Sequence, residues 1–351
     1  MTIPTQKNID YAALQGAATD RYNRRKRKLR LSVTDRCNYR CPYCMPEHPD
    51  WADKDTLLSD AEMQRLISIA VERLGITELR LTGGEPLLKK NLESFVQNLQ
   101  PLKAKGLRRI SLTSNGQLLA KRAADLRAAG IDDINISLDA LDDAVFAAMS
   151  GNRGSVDAVK RGILACVEAG LPVKLNAVII RDHNEGQIVE LTRWAMARNL
   201  PLRFIEFMPL DGDHRWARER VVGEQEILNK LSAHYRVVAM PDSASAPSPA
   251  RYYRLINEQA HHPQSEYKLG IISTVTRPFC SDCDRLRLTA TGALYPCLFS
   301  DKGAELRELI RRGDDADIES AIREAVWHKD AGYAEHPGYV ERPISMHSLG
   351  G

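Results

Sequence analysis

Six short runs rich in aliphatic and β-branched residues recur in the first part of the chain, and each gap between them can hold a helix. The runs cover residues 29–33, 78–82, 109–113, 134–138, 173–179 and 203–208. Strands that alternate with helices favour parallel βαβ units, which form either an open doubly wound sheet or a barrel. The pattern therefore predicts an α/β fold, and periodicity alone leaves both arrangements open.

Local start and stop signals support the intervening helices. Ser59 followed three residues later by Glu62 forms a capping-box pattern, and Gly75 ends the apolar stripe that follows. Later helical stretches are expected to end at glycine in the same way, at Gly106, Gly130 and Gly170.

The character of the chain changes after about residue 236. Residues 240–251 are rich in Ser, Pro and Ala, which is typical of a loop or a domain junction. We expect an N-terminal segment at residues 1–22, a main domain at 23–239 and a smaller C-terminal domain at 240–351. A helix is predicted near residues 318–326 in the last of these.

Composition limits the class of protein. With 351 residues, a net charge of +3 and 27% charged residues, the chain resembles ordinary globular proteins, and nothing global calls for nucleic acid. It has neither an apolar run of the ~20 residues that span a bilayer nor a signal-peptide hydrophobic region. We therefore expect a cytoplasmic protein without a membrane or nucleic-acid partner.

Six of the seven cysteines form two tight groups, which in a large intracellular protein indicates metal or redox chemistry. Cys37, Cys41 and Cys44 follow the first predicted strand, and three thiolates on one loop can hold three corners of a [4Fe–4S] cluster, leaving one iron open. A zinc site that borrows His48, or three cysteines without metal, are the alternatives.

This spacing, with Tyr43 directly before the third cysteine, resembles the signature of the radical S-adenosylmethionine superfamily. The resemblance implies an incomplete (βα)6 TIM-like barrel whose cluster cleaves S-adenosylmethionine to a 5'-deoxyadenosyl radical. It also implies that S-adenosylmethionine is bound by Tyr43, Gly84, Ser137 and Met208. Loop packing for Tyr43 and an ordinary tight turn at Gly84 are the alternative interpretations.

Cys280, Cys283 and Cys297 form the second group, for which a zinc hairpin completed by a histidine is the alternative. With Arg285 and Arg287 just after Cys283, the chain is similar to the GTP 3',8-cyclase family of molybdenum cofactor biosynthesis. The likeness extends from Leu29 over nearly the whole chain. It implies a second [4Fe–4S] cluster in the C-terminal domain, with an open iron that binds guanine.

The same resemblance implies a lyase that converts GTP into (8S)-3',8-cyclo-7,8-dihydroguanosine 5'-triphosphate. Gly350 and Gly351 are then expected to serve catalysis. The implied GTP contacts are Arg30, Arg80, Thr113, Lys174, Arg285 and Arg287. Each cation alone could be a surface side chain, but a cation that points inward from a strand needs an anion. Glu78 departs from the lysine of some relatives, which leaves phosphate binding at that position open.

The resemblance further implies a reducing electron donor such as flavodoxin, cyclic pyranopterin monophosphate synthase as the downstream enzyme, and a homodimer. Two other functions are open: a two-cluster radical enzyme that modifies a peptide, and a non-catalytic zinc protein that binds nucleic acid. The basic run at residues 24–28 resembles a nucleic-acid patch, but we predict a solvated segment leading into the first strand. Cys166 is expected to be a buried small hydrophobe.

Overall fold

A computed structural model describes residue 11 and residues 15–241, 248–257, 266–333 and 345–350. The fold is α/β, and within these ranges twelve strands form one mixed sheet. The strands are β1 (Lys28–Ser32), β2 (Glu78–Thr82), β3 (Arg109–Ser114), β4 (Asp133–Ser137), β5 (Val173–Ile179), β6 (Leu202–Glu206), β7 (Arg236–Ala239), β8 (Arg251–Ile256), β9 (Glu266–Ile272), β10 (Arg285–Leu288), β11 (Ala293–Tyr295) and β12 (Ala304–Glu305).

The centre of the sheet is parallel and follows chain order from β1 to β6. β10 pairs in parallel with β1, and β9 pairs in parallel with β6. Antiparallel strands continue the sheet on both sides, β11 and β12 beyond β10, and β8 and β7 beyond β9. The residues after position 250 thus extend the sheet at both ends, and the predicted domain boundaries stay predictions.

Helices follow most of the central strands. They are α1 (Asp60–Glu72), α2 (Leu92–Leu99), α3 (Ala123–Ala129), α4 (Asp143–Ser150), α5 (Val156–Glu168), α6 (Ile188–Met196), α7 (Glu224–Ser232), α8 (Arg307–Arg312), α9 (Asp315–Trp327) and α10 (Met346–Leu349). The capping box at Ser59 is confirmed, because its hydroxyl accepts from the Glu62 amide and the Glu62 carboxylate accepts from the Ser59 amide. Gly75 adopts a φ of +72° just beyond α1, as a helix stop requires.

All six predicted strands are present: β2 and β5 match the predicted bounds, and the ends of the other four differ by at most two residues. Leu31, Leu81 and Leu112 lie on the same face of β1, β2 and β3, and none of them is exposed to solvent. Because side chains alternate along a strand, the residues between these leucines lie on the opposite face of the sheet. That second face carries Arg30, Arg80 and other polar residues, and it forms the candidate site.

The basic run is not a solvated segment, so that prediction was wrong for two of its residues. Arg24 and Lys26 are buried, with 7% and 0% exposure, because both form ion pairs with the buried carboxylate of Asp20. Cys166 on α5 is buried, as predicted. Among the described residues, every helix is too short or too polar to traverse a bilayer.

Candidate active site

The first cysteine loop directly follows β1, at the carboxyl end of the strand. The amides of Cys44 and Met45 both donate to the carbonyl of Cys41, at 3.0 and 3.1 Å, which folds the loop into a tight turn. Burial raises the pKa of the Cys41 thiol well above its ordinary value, and the neighbouring sulfur atoms of Cys44 and Cys37 raise it further. The turn thus places the three cysteines on one compact loop.

The donor set of this loop fits an iron–sulfur cluster. The three thiols are half-buried and form no disulfide, and thiolates are the ligands that hold such clusters. Within the described ranges, no three His, Cys, Asp or Glu side chains are arranged to hold a single metal ion. His48 is exposed to solvent and does not complete a tetrahedral set with the cysteines.

The glycine-rich turn after β2 packs directly on the cysteine loop. The Gly84 amide donates to the carbonyl of Thr34 at 3.0 Å, and the Glu85 amide donates to that of Arg36 at 2.7 Å. A Cβ atom on Gly84 would lie 2.3 Å from the Arg36 carbonyl oxygen, so only glycine fits there. The two motifs that are far apart in sequence form one structural unit.

Glu85 anchors this unit to the end of β3. Its carboxylate is 1% exposed and accepts hydrogen bonds from the Leu87 amide, the Ser114 hydroxyl and the Asn115 amide, at 3.0, 2.8 and 2.8 Å. Burial raises the pKa of the Glu85 carboxyl to about 7, although these hydrogen bonds oppose the shift.

The other residues expected to bind S-adenosylmethionine also lie at the carboxyl edge of the sheet. The hydroxyl of Tyr43 donates to Asp139 at 2.7 Å, and the same carboxylate accepts from the Val178 amide at 2.8 Å. Burial raises the pKa of the Asp139 carboxyl to about 6. Ser137 ends β4, and Met208 follows the end of β6 by two residues. The structure thus gathers these positions around one edge, which is where ligands bind in parallel α/β folds.

The second cysteine group surrounds β10 and β11. Cys280 and Cys283 precede β10, and Cys297 follows β11, so that all three half-buried thiols lie on the flank of the sheet beside β1. Burial alone would raise the pKa of the Cys283 thiol, but the charges of Arg285 and Lys329 outweigh it and lower the pKa to about 6. The pKa of the Cys283 thiol is therefore lowered, whereas that of the Cys41 thiol in the first group is raised.

A row of arginines crosses the second face of the sheet. In the strand register Arg30 lies opposite Arg80 on one side and Arg287 on the other. Arg30 lines an open face, yet the protein atoms crowded around it desolvate its guanidinium and lower the pKa. The charges of Arg287, Arg80, Arg285 and Arg203 lower it further. In the described part of the chain we find no hydrogen-bond or ion-pair partner for Arg30, so the row fits an anionic ligand.

Asp133 is a buried carboxylate beside this row, and its shortest ion pair, at 2.6 Å, is with Arg109. It is 1% exposed and lies 3.7 Å from the Lys174 ammonium and 4.0 Å from the Arg80 guanidinium. Arg80 also donates to the Thr113 hydroxyl at 3.4 Å. Arg80, Thr113 and Lys174, three of the expected GTP contacts, are thus brought together on three different strands.

The segment 345–350 lies between the first cysteine loop and the arginine row. The His347 amide donates to the Cys44 carbonyl at 3.3 Å, and the Ser32 hydroxyl donates to the Ser348 carbonyl at 3.2 Å. Arg287 donates to the carbonyls of Leu349 and Gly350, at 3.2 and 2.5 Å. Gly351 lies outside the described residues, so the structure locates only the first glycine of the predicted catalytic pair.

Comparisons with known proteins agree with both halves of this arrangement. The radical SAM superfamily matches residues 31–195, and Molybdenum Cofactor Synthesis C matches residues 200–335. A GTP 3',8-cyclase of Mycobacterium marinum is 44% identical over 340 residues, covering 96% of this chain and 92% of that protein. One from Rhodopirellula baltica is 41% identical over 339 residues, covering 95% and 92%. The chain belongs to the GTP 3',8-cyclase family.

Among solved structures, SuiB of Streptococcus suis bound to S-adenosylmethionine has a TM-score of 0.59 at 13% identity, covering 92% of this chain and 72% of that one. At this identity the likeness concerns the fold alone.

Some residues of this GTP 3',8-cyclase family site were not identified from sequence. Arg203 was quoted only as part of the family likeness, although its place within a predicted strand is the same signal that identified Arg30 and Arg80. Its guanidinium donates to Asn176 at 2.9 Å on the polar face. Asp133 and Lys329 carried no local signal, because their partners come from other strands and loops. Glu78 stands where some relatives have lysine. Its carboxylate lies 4.0 Å from the ammonium of Lys28 on β1.

The Glu85 anchor generates a stability prediction. Replacing it by Glu85→Gln turns one acceptor oxygen into a donor that faces the Ser114–Asn115 turn, and an unsatisfied buried group costs about 1–3 kcal/mol. We expect a loss of that size in the free energy of unfolding, measured by denaturant titration. Glu72→Gln removes an exposed ion pair with Lys105 and is the control, with an expected loss below ~1 kcal/mol. Equal losses in the two variants would contradict the anchoring role.

Proposed function

We propose that this chain is a radical SAM lyase that converts GTP into (8S)-3',8-cyclo-7,8-dihydroguanosine 5'-triphosphate in molybdenum cofactor biosynthesis. Membership of the GTP 3',8-cyclase family supports the reaction. The observation that carries the proposal is the arginine row, which has a guanidinium without a partner among the described residues and lies near a three-cysteine loop. A triphosphate supplies the negative charge that this row lacks.

In this proposal the two cysteine groups hold two [4Fe–4S] clusters. Cys37, Cys41 and Cys44 hold the first, beside the residues that bind S-adenosylmethionine, which are Tyr43, Gly84, Ser137 and Met208. Cys280, Cys283 and Cys297 hold the second. When bound, the first cluster and S-adenosylmethionine supply a 5'-deoxyadenosyl radical that removes the 3' hydrogen of the GTP ribose. The protein binds the reactants next to each other and shields them from water.

The charged residues bind the nucleotide. Arg30, Arg80 and Lys174 face the triphosphate with the Thr113 hydroxyl, and Asp133 keeps two of these cations in place before the substrate arrives. Arg287 ends the row on the side of the second cysteine group, Arg285 lies two residues before it on β10, and the purine is bound beside these two arginines. Forked guanidinium groups suit phosphate oxygens because each can donate two parallel hydrogen bonds.

A curved sheet fits this proposal better than a flat one. β1 and β6 are five strand spacings apart, which is ~24 Å in a flat sheet. The charge of Arg203 on β6 nevertheless contributes to lowering the pKa of Arg30 on β1, after burial and closer arginines. This supports a partial six-stranded barrel around the nucleotide. The separate C-terminal domain, the homodimer, the flavodoxin-like donor, the downstream cyclic pyranopterin monophosphate synthase and the cytoplasmic location stay predictions.

Anaerobic turnover tests the function directly. Reconstituted protein is incubated with reductant, S-adenosylmethionine and GTP, and both 5'-deoxyadenosine and cyclised nucleotide are measured. We expect Cys44→Ala to abolish both products, and Cys283→Ala to abolish the nucleotide product while slow uncoupled cleavage continues. Cys166→Ala, in the buried core of α5, is the control and should keep both products. Cleavage of S-adenosylmethionine by the unaltered protein without a GTP product would favour the peptide-modifying alternative.

Arg30 allows a test in which binding and stability move in opposite directions. Arg30→Met removes a charge-assisted contact worth about 1.5–3 kcal/mol, so GTP affinity should fall roughly tenfold to hundredfold. The same change relieves repulsion among the arginines, so the unfolding free energy should rise. Equilibrium GTP binding and denaturant unfolding measure the two effects.

A matched control for Arg30 is Arg65→Met. Arg65 donates to Asp315 and to the carbonyl of Ile310, away from the arginine row. The Arg65→Met change should lower the free energy of unfolding and leave GTP affinity unchanged. A loss of stability in Arg30→Met, or an unchanged GTP affinity, would argue that the row has another role.

Replacing Gly350 tests whether the segment 345–350, beside the arginine row, is needed for cyclisation. It has a φ of +73°, and a Cβ atom there would lie 2.3 Å from the Thr82 methyl group. Gly350→Ala should therefore displace the segment and slow GTP cyclisation by ~100-fold, since small errors of placement have large kinetic effects. Gly186→Ala, where an added Cβ meets nothing within 4 Å, is the control. Normal cyclisation by Gly350→Ala would show that the segment is dispensable.

A further inference from the structure

The basic run at residues 24–28 packs against the second cysteine loop. Arg24 donates to the carbonyls of Cys280 and Asp330, at 2.9 and 2.7 Å. The Lys26 ammonium donates to the Cys283 carbonyl at 2.9 Å. The run therefore holds the backbone of two expected cluster ligands from inside the protein.

One carboxylate compensates the charges of this run. Asp20 is 2% exposed, and its Oδ2 lies 2.6 Å from the Lys26 ammonium and 2.7 Å from the Arg24 guanidinium. Burial and the hydrogen bonds from these two cations act in opposite directions on Asp20, and the net effect lowers its pKa. Asp20 is thus ionised, but a single negative charge is shared between two cations.

A third buried cation, Lys329, points at a cysteine sulfur. Lys329 follows α9, is 2% exposed, and its ammonium donates to the Cys283 sulfur at 3.3 Å and to the Pro296 carbonyl at 2.5 Å. Across the described ranges, no Asp or Glu oxygen lies within the 4.0 Å of an ion pair with this ammonium. Of its two hydrogen-bond acceptors, the Cys283 sulfur is the one that can carry a negative charge.

A buried ammonium is costly unless it is paired with negative charge. A protonated thiol gives little compensation, whereas a thiolate bound to iron carries the charge that Lys329 lacks. The buried Lys26 ammonium donates to the Cys283 carbonyl at 2.9 Å and the Lys329 ammonium to the Cys283 sulfur at 3.3 Å, so two buried cations meet at one cysteine. The arrangement is therefore incomplete without additional negative charge at Cys283.

The first cysteine group has a different surrounding. Its Cys37 sulfur accepts from the neutral Tyr39 amide at 3.4 Å. Over the described part of the chain, no lysine or arginine side chain donates a hydrogen bond to the sulfur atoms of Cys37, Cys41 or Cys44. Charged donors to a ligand sulfur are thus a property of the second group, where Arg285 also lies 3.7 Å from the Cys283 sulfur.

We propose that Lys329 is a positioning residue for the second cluster, and that its hydrogen bond to the Cys283 sulfur raises the reduction potential of that cluster. A charged donor at a ligand sulfur stabilises the added electron, because it offsets the extra negative charge of the reduced cluster. This inference rests on the second cluster of the proposed function. Lys26 and Asp20 hold the Cys283 backbone in place for this contact.

The test uses the full chain with the first ligands replaced by Cys37→Ala, Cys41→Ala and Cys44→Ala, so that only the second cluster remains. Its midpoint potential is measured by an anaerobic redox titration followed by electron paramagnetic resonance, together with iron content. In this background Lys329→Met should shift the midpoint to a more negative potential at unchanged iron content. Lys329→Gln, which keeps a neutral donor, should give a smaller shift in the same direction. Lys105→Met, an exposed lysine paired with Glu72, should give none.

An unchanged midpoint in Lys329→Met with the cluster intact would overturn the proposal. If Lys329→Met loses its iron, the midpoint potential of Lys329→Gln is used instead, and an unchanged value would likewise overturn the proposal. Loss of iron in both, with retention in Lys329→Arg, would show that the cation is needed to hold the cluster and would overturn its role in the potential. A parent chain that binds no iron at all would refute the second cluster itself, and this inference with it.

Discussion

Repulsion among guanidinium groups on one face of the sheet is a cost that the rest of the structure must offset. Adjacent strands are ~4.8 Å apart, and unit charges at that distance repel by about 3 kcal/mol at an effective dielectric constant near 20. Arg30, Arg80 and Arg287 occupy three adjacent strands in register. The same strands offset this cost on their other face, where Leu31 and Leu81 are fully buried under the helices. Each of these leucines directly follows an arginine in its strand, so the apolar core stabilises the strands that present a site for a polyanion.

Local patterns were sufficient for the central sheet but not for its flanks. Alternating aliphatic runs and the Ser59 capping box depend on neighbours in sequence, so the six strands and α1 could be predicted. The parallel pairing of β10 with β1 joins residues about 250 positions apart, and a four-residue strand carries little pattern of its own. The burial of Lys26 was missed for the same reason, since composition cannot reveal that Asp20 and Cys283 surround it.

In the candidate site, too, residues linked by local sequence spacing could be predicted, and residues linked only by tertiary packing could not. Cysteine spacing identified the two thiol groups, because ligands on one loop must be close in sequence. The family resemblance supplied residues such as Ser137 and Thr113, whose positions on the polar face follow from the alternation of a strand. Lys329 could not be found this way, because it lies just after a helix and meets Cys283 only through the packing of α9. A residue such as Lys329, which acts through its contact with another residue of the site, is identified only from tertiary contacts. A single sequence does not show these contacts.

The segment 345–350 joins the two halves of the site without adding charge to either. Burial lowers the pKa of His347 to about 4, so its imidazole is neutral near pH 7. The segment therefore offers Arg287 only the neutral carbonyls of Leu349 and Gly350. A negatively charged substrate oxygen adds charge–charge attraction to the hydrogen bond from a guanidinium, which a neutral carbonyl oxygen does not. The carbonyls thus satisfy the Arg287 guanidinium while leaving an anionic substrate the stronger partner, so the protein can keep its arginine row ordered without closing it to the ligand that the row requires.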